Sequence, residues 1–241
     1  VHGSEHLVET ENGSEQYDRI LIATGARAFA PPVKGLEPED AFLMRTVEDA
    51  LRFKDRLKKN DIKHAVVIGA SMAGIKVVEV LHKYGIETWL LDLASYIFPL
   101  AAYKEVAKEI EKRVEAQGVH LMFGVTIDHM EQENGEKTAV LTDGSRIPAD
   151  IVGLCIGTRA ITETVQGEVE IGRGIVVDDH MRTSVPGIYA AGDCCEGNNL
   201  ESGQNQIIGL WANANHQGET AGINMAGGDM AYKGNILHNI T

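Results

Sequence analysis

Positive charge is what this chain of 241 residues most lacks: 22 lysines and arginines stand against 35 aspartates and glutamates, for a net charge of −13. Such a surface repels phosphate backbones and anionic bilayers, so nucleic acid and membrane are set aside as partners. Long apolar runs are missing too. None reaches the length that spans a bilayer, and the first residues do not read as a signal peptide, so the expected location is cytoplasmic. Cysteine is scarce, with three in all, and these do not make a disulfide framework. Cys155 lies in the apolar run 150–156 and reads as a small core residue. The adjacent Cys194 and Cys195 are too close for an easy unstrained disulfide, which leaves packing beside a turn ahead of a redox role. Of the nine histidines only His2 and His6 stand at HxxxH spacing, in a polar stretch rich in turn formers, and no Cys-x-x-Cys accompanies them, so no metal site is expected. Hydrophobic residues are not scarce: at 44% they suffice for a real core, in one large or two ordinary domains.

The most informative stretch is His64-Ala-Val-Val-Ile-Gly-Ala-Ser-Met-Ala-Gly-Ile-Lys76. Val66, Val67 and Ile68 read as a parallel strand buried on both faces. A Gly-rich turn follows, Gly69-Ala70-Ser71-Met72-Ala73-Gly74, with serine where a dinucleotide fingerprint has its middle glycine. Gly69 suits the tight turn and Gly74 the close packing of helix on strand. Ile75, Val77, Val78, Val80 and Leu81 give the helix its apolar stripe to Tyr84, and Gly85 closes it. Glu87 to Asp92 is the second strand. Asp92 stands 23 residues after Gly69, near the ~20 expected of the acid that grips the adenosine ribose. Leu93 and Ala94 follow rather than arginine, which favours NADH over NADPH.

Elsewhere, residues 1–17 read as polar and irregular. Asp18 to Gly25 is a short buried strand entering a glycine turn. Thr46 and Asp49 form a capping box for a helix reaching about Lys59. Tyr103 to Gln117 is a further helix and Val119 to Phe123 a strand. Asn134-Gly135 and Asp143-Gly144 punctuate an antiparallel three-stranded meander between residues 126 and 148, both dipeptides favouring primed turns. Ala149 to Ile156 is a buried strand, 174–178 another strand and 188–193 a strand ending in a Gly-Asp turn, and a last helix runs from Ile208 to Ala226.

Taken in order, Asp18-Arg-Ile-Leu-Ile-Ala-Thr-Gly25, the Gly69–Gly74 turn, Ile156-Gly157, Gly187-Ile-Tyr-Ala-Ala-Gly-Asp193 and the tail 209–228 resemble the pyridine-nucleotide-disulfide oxidoreductases. The branch is that of NADH:rubredoxin oxidoreductases, the flavin portion of NADH-dependent nitrite reductase, and NADH oxidases. The resemblance implies an α/β fold: a Rossmann-like NAD(P)-binding domain with an antiparallel meander, of three-layer ββα/βαβ type, inserted in a partial FAD-binding domain. Residues 1–45 would be the first FAD segment, 46–160 the NAD(P)H domain and 161–241 the second FAD segment. It adds Gly157 to the NAD set. It places Ala23, Thr24 and Gly25 at a strand-end turn near FAD, and Asp193, after Gly192, on a ribityl hydroxyl or as a turn cap. Arg45 would pass the flavin or be a surface arginine; Trp211 would border the flavin face or be a buried helix tryptophan. Lys76 replaces the family's usual glutamate, which would put a cation where nicotinamide meets flavin unless the side chain turns to solvent.

The flavin turn, any redox cysteine and the C-terminal interface domain of such proteins find no match here, which implies an internal portion of a longer homodimeric parent, with weak or no FAD binding of its own. The parent would carry hydride from NADH to FAD and electrons onward to an acceptor the sequence leaves open: a rubredoxin-like protein, a nitrite-reducing module, oxygen or a disulfide. Two alternatives stay open: an NADH-binding module without turnover by itself, and a sensor or assembly protein on the same fold.

Overall fold

The computed structural model describes residues 1–99, 101–165 and 167–236. In chain order the strands begin with β1 Leu7–Thr10, β2 Gly13–Gln16, β3 Ile20–Ile22, β4 Ala26–Ala28, β5 Ala41–Phe42, β6 His64–Ile68, β7 Glu87–Asp92 and β8 His120–Phe123. They continue with β9 Ile127–Glu133, β10 Glu136–Leu141, β11 Arg146–Pro148, β12 Ile151–Leu154, β13 Thr158–Ala160, β14 Ile188–Ala190, β15 Gly197–Asn198 and β16 Asn205–Gln206. Helices are α1 Val47–Leu57, α2 Met72–Lys83, α3 Lys104–Glu115 and α4 Trp211–Met225. Two compact units result: residues 28–158, and residues 1–27 together with 159–241.

The central unit is built on a parallel sheet of order β5-β12-β6-β7-β8. Alternation along each strand sends Ala65, Val67 and Leu90 to one face, where Phe53 and Leu57 of α1 and Val77, Val78 and Leu81 of α2 cover them. Val66, Ile68, Leu91, Val152 and Leu154 point the other way, onto Ile127, Met130, Ala139, Leu141 and Ile147 of the meander β9–β10–β11. Meander, sheet and helices are the three layers. The order places β12 and β7 on opposite sides of β6, so the turn after β6 sits at the topological switch point. This unit starts before residue 46, because β5 pairs with β12 through Ala41 and Phe42 and Phe42 is fully buried.

Local chemistry explains most element ends. Thr46 Oγ1 accepts from Asp49 N–H at 3.1 Å and Asp49 Oδ2 accepts from Thr46 N–H at 3.0 Å, the reciprocal capping box. Helix α2 begins at Met72, earlier than the apolar stripe suggested, because Ser71 is its N-cap. Asn134 and Gly135 both have positive φ, 52° and 85°, as a primed turn requires. The second meander turn differs: only Gly144 is left-handed, with φ 86°, and its N–H donates to Leu141 O while Leu141 N–H donates to Ser145 O. That is an ordinary turn closed by a glycine bulge.

In the other unit, β3 and β14 pair in parallel over a core of Ile22, Val165, Ile175, Ile188, Tyr189 and both adjacent cysteines. Two expectations fail here. Residues 1–17 are not irregular: β1 and β2 form a hairpin of register Leu7↔Gln16 to Thr10↔Gly13. Beyond the half-buried Leu7 and Val8 its residues are polar or glycine and exposed, so no apolar period announced it. Residues 174–178 are not a strand, since Ile175 bridges singly to Ile171 and to Cys195 and its neighbours change partner.

Candidate functional site

The turn between β6 and α2 is shaped by close backbone approach. Gly69 has φ +104°, and a Cβ there would overlap the carbonyl of Cys155 at the end of β12. At Gly74 a Cβ would fall inside the Gly69 carbonyl oxygen. Both positions therefore need glycine, one for conformation and contact, the other for contact alone. Ser71 does not: its φ is −88°, an ordinary extended value. Its hydroxyl donates to Cys155 O at 3.1 Å and accepts from Gly74 N–H at 3.4 Å. The serine that weakens the sequence motif thus ties the turn to β12 and caps α2. Met72 and Ala73 form the first helical turn, where N–H groups and the helix dipole favour an anion.

Asp92, at the C-terminal end of β7, closes the other side. Its Oδ2 accepts from Ala70 N–H at 2.7 Å and its Oδ1 from Ala94 N–H at 2.8 Å. One carboxylate therefore tethers the glycine turn and keeps lone pairs to spare for ribose hydroxyls. The sequence reading missed the tether, and the 23-residue spacing carries no trace of it. Gly157 lies just past β12 with φ +101°, its carbonyl accepting from Phe29 N–H at 2.9 Å. Gly69 to Gly74, Asp92 and Gly157 thus gather at the carboxyl edge of one sheet. The glycine cradle, helix N-terminus and acid fit a dinucleotide. Lys76 stands apart: it is 69% exposed and pairs with Glu79 at 3.3 Å, which also holds Lys83 at 2.7 Å. Arg45 belongs to the same unit, exposed ahead of α1, with its N–H on Asp49 Oδ2 at 3.0 Å.

The other unit gathers a second set at the carboxyl ends of β3 and β14. Thr24 Oγ1 donates to Ile161 O at 2.5 Å, and Gly25, with φ 71°, accepts from Ile161 N–H at 2.9 Å. Ala23 precedes them, exposed. Gly192 is left-handed, φ 84°, and its N–H donates to Gln217 Oε1 at 2.7 Å. Gly209 lies against Asp193, where a Cβ would stand 3.2 Å from the carboxylate. These glycine turns beside a carboxylate fit a polyhydroxylated ligand chain. Trp211, the first residue of α4, is 85% exposed, which removes the buried-tryptophan alternative. What α4 buries instead is a mostly polar stripe at helical spacing, the amides of Asn213, Gln217 and Asn224 with the hydroxyl of Thr220, beside Ala221. Gln217 Nε2 donates to Asn235 Oδ1 at 2.9 Å, which fixes the amide that holds Gly192. That polar stripe was the available signal for Gln217, and it reads as a solvent face until burial is known.

All three cysteines are free and buried. Burial pushes the Cys155 thiol up to about 11. The Cys194 thiol is drawn down by hydrogen bonding from Cys195 and from Thr24 and Gly25, while Cys195 is pushed up by the same pairing and by burial. Among the described residues no helix is long and apolar enough to cross a membrane.

Residues 2–218 match the family described as pyridine nucleotide-disulphide oxidoreductase. An NADH oxidase of Methanocaldococcus jannaschii is 30% identical over 213 residues, which is 88% of this chain and 47% of that protein. Among solved structures, a NAD-dependent persulfide reductase from A. fulgidus superposes with a TM-score of 0.87 at 29% identity, over 97% of this chain and 44% of that one. A water-forming NADH oxidase from Lactobacillus brevis, solved with NADH bound, gives 0.88 at 26% identity, over 97% and 53%. The chain therefore spans about half the length of the curated relatives it matches.

Proposed function

The chain belongs to the pyridine nucleotide-disulphide oxidoreductase family, and from that premise we propose that it is the nicotinamide-binding part of an FAD-dependent oxidoreductase that draws hydride from NADH. The observation carrying this reading is the cradle at the switch point: Gly69 and Gly74 pressed against neighbouring backbone, Ser71 capping α2, and Asp92 holding Ala70 N–H. The pyrophosphate would lie on the Met72 and Ala73 N–H groups and the adenosine ribose against Asp92. A ribose 2′-phosphate would meet that carboxylate with Leu93 and Ala94 beside it, so NADH is the preferred form.

The Thr24–Gly25 and Gly192–Asp193 turns would hold the flavin, with Asp193 accepting from a ribityl hydroxyl. Bound FAD supplies the two-electron redox chemistry; the protein's share is to orient the cofactors and exclude water. The acceptor is a protein or a small molecule, since relatives carry names as different as NADH oxidase and persulfide reductase. Lys76, exposed and paired, fits a solvated role better than one at the reacting atoms.

Calorimetric titration of the chain with NADH and NADPH tests the nicotinamide site. Saturable NADH binding that Gly74→Val abolishes is expected; no NADH binding by the folded chain sinks the reading. Anaerobic addition of NADH with FAD separates turnover from binding. Bleaching of the flavin band marks hydride transfer, and NADH affinity without bleaching marks a binding module that needs the rest of its parent.

A further inference from the structure

The segment 93–99 that leaves β7 folds back onto the glycine turn through one strained residue. Phe98 has φ 55°, although it carries a bulky ring and precedes Pro99, and a residue before proline is pushed toward the extended region. Such a conformation persists only where its surroundings fix it, and it gathers at ligand clamps. Here the surroundings hold it from both sides. Phe98 N–H donates to Ala70 O at 2.9 Å, and Phe98 O accepts from Ala101 and Ala102 N–H at 2.9 Å each. One residue earlier, Ile97 is fully buried, and its N–H donates to Glu111 Oε1 of α3 at 3.0 Å. Ala70, Ile97 and Ala107 of α3 share one buried cluster, with Phe98 and Ile110 packed against it.

From these contacts we infer, building on the nicotinamide reading of the turn, that Glu111 is a positioning residue for it: by clamping Ile97, Glu111 keeps Phe98 N–H on Ala70 O. Ala70 is thereby held at both ends. Asp92 Oδ2 accepts its N–H at 2.7 Å and fixes the Gly69–Ala70 peptide, while Phe98 holds its carbonyl and fixes the Ala70–Ser71 peptide. That second peptide leads directly into the N-cap Ser71, so its plane sets where the Met72 and Ala73 N–H groups point. Those are the donors proposed to meet the pyrophosphate. In a trans peptide the N–H faces away from the carbonyl, so releasing Ala70 O lets Ser71 N–H swing and turns the helix mouth with it. Without Glu111, the buried Ile97 N–H has no water to turn to, and the strain at Phe98 favours letting go. Residues 70, 97 and 111 are far apart in the chain, so no sequence motif marks the clamp.

Calorimetric titration of the chain with NADH tests the clamp, with backbone amide exchange followed by NMR beside it. Glu111→Ala should weaken NADH at least about five-fold, the factor by which an orphaned buried N–H lowers the share of clamped chain. Glu111→Met, which keeps the bulk of the stem but has no acceptor, should do the same. Glu111→Gln still offers Ile97 N–H an oxygen and should stay within about two-fold of the parent. So should Glu109→Ala, whose exposed carboxylate pairs with Lys112 at 2.6 Å. Without nucleotide, Glu111→Ala should speed exchange at Ile97 and Phe98 at least about five-fold while Val66 and Val67 of β6 keep the parent's rates. A merely structural Glu111 would lower stability and leave the affinity of the folded chain alone; circular dichroism checks that each variant is folded. NADH bound by Glu111→Ala and Glu111→Met as tightly as by the parent overturns the inference. So does an equal loss in Glu111→Gln, or unchanged exchange at Phe98. The exchange result stands whether or not the chain binds NADH, so failure of the clamp and failure of the nicotinamide reading are told apart.

Discussion

Replacing Asp92 with alanine separates two roles that one carboxylate is proposed to fill. If Asp92 only met a ribose, the variant without nucleotide would be as stable as the parent chain. The hydrogen bonds say otherwise. Ala70 is fully buried, and its N–H has Asp92 Oδ2 as acceptor at 2.7 Å. A buried donor deprived of its partner costs about 1–3 kcal/mol, whereas Ala94 N–H, half-exposed, rehydrates for a few tenths. Asp92→Ala should therefore destabilise the central unit by about 2 kcal/mol, roughly 30-fold in its unfolding equilibrium. Asp92→Asn should fall between: its Oδ1 can still accept from Ala70, but its NH₂ faces the Ala94 N–H. Urea unfolding followed by Trp89 fluorescence, in a Trp211→Phe background, reads this unit separately from the other. The loosened turn should also weaken NADH and NADPH together, not merely level the preference between them. An unchanged midpoint for Asp92→Ala, with loss of NADH affinity alone, would refute the tether.

Further outcomes are expected. Gly74→Ala adds a Cβ into the Gly69 carbonyl and must push α2 off β6; overpacking of about 1–3 kcal/mol outweighs the roughly 1 kcal/mol of helix propensity gained, so the Trp89 midpoint should fall. Lys76→Ala should leave NADH affinity within two-fold, and a larger change would return that side chain to the site. His180 titrates above its usual 6.5 because Asp179, and then Asp229, accept from its ring. A raised folded value means its contribution is complete below the unfolded value and lost as pH rises through the folded one. Melting of His180→Gln relative to the parent should accordingly differ most at pH 5.5 and least at pH 8.5. A native disulfide reagent should find all three thiols slow: Cys194 is drawn down toward thiolate but fully buried, and access outweighs acidity until urea exposes it.

The β6–α2–β7 unit was legible because its signals are local. Three β-branched or apolar residues, two glycines, a helical stripe and an acid all lie within 30 residues. The meander was legible for the same reason, and Asn134-Gly135 adopted the turn its dipeptide favours. Illegible features depend on burial or on distant partners. The hairpin β1–β2 has no apolar face to betray it. The strand expected at 174–178 has the composition of a strand but no continuous partner, and pairing decides. Trp211 looks like core by residue type and is exposed by position. The amides of α4 look like a wet face and are buried.

Ser71 shows why a degenerate motif can be a sound one. The middle glycine of a dinucleotide turn is there so that backbone and ligand can approach, but Ser71 has an extended backbone that any residue tolerates. Its side chain points back, bonded to Cys155 O and to Gly74 N–H, and so stays clear of the helix mouth. A hydroxyl turned inward leaves the anion site as open as glycine would and adds a helix cap worth about 1 kcal/mol. Ser71→Gly, which restores the fingerprint, should then lower the stability of the unit by a few tenths and leave NADH affinity unchanged. Ser71→Val, which keeps bulk but has no hydroxyl, should cost the full cap and swing a methyl toward the pyrophosphate position. If Ser71→Gly instead tightens NADH several-fold, the serine obstructs the site and the inward hydroxyl is not what makes it tolerable.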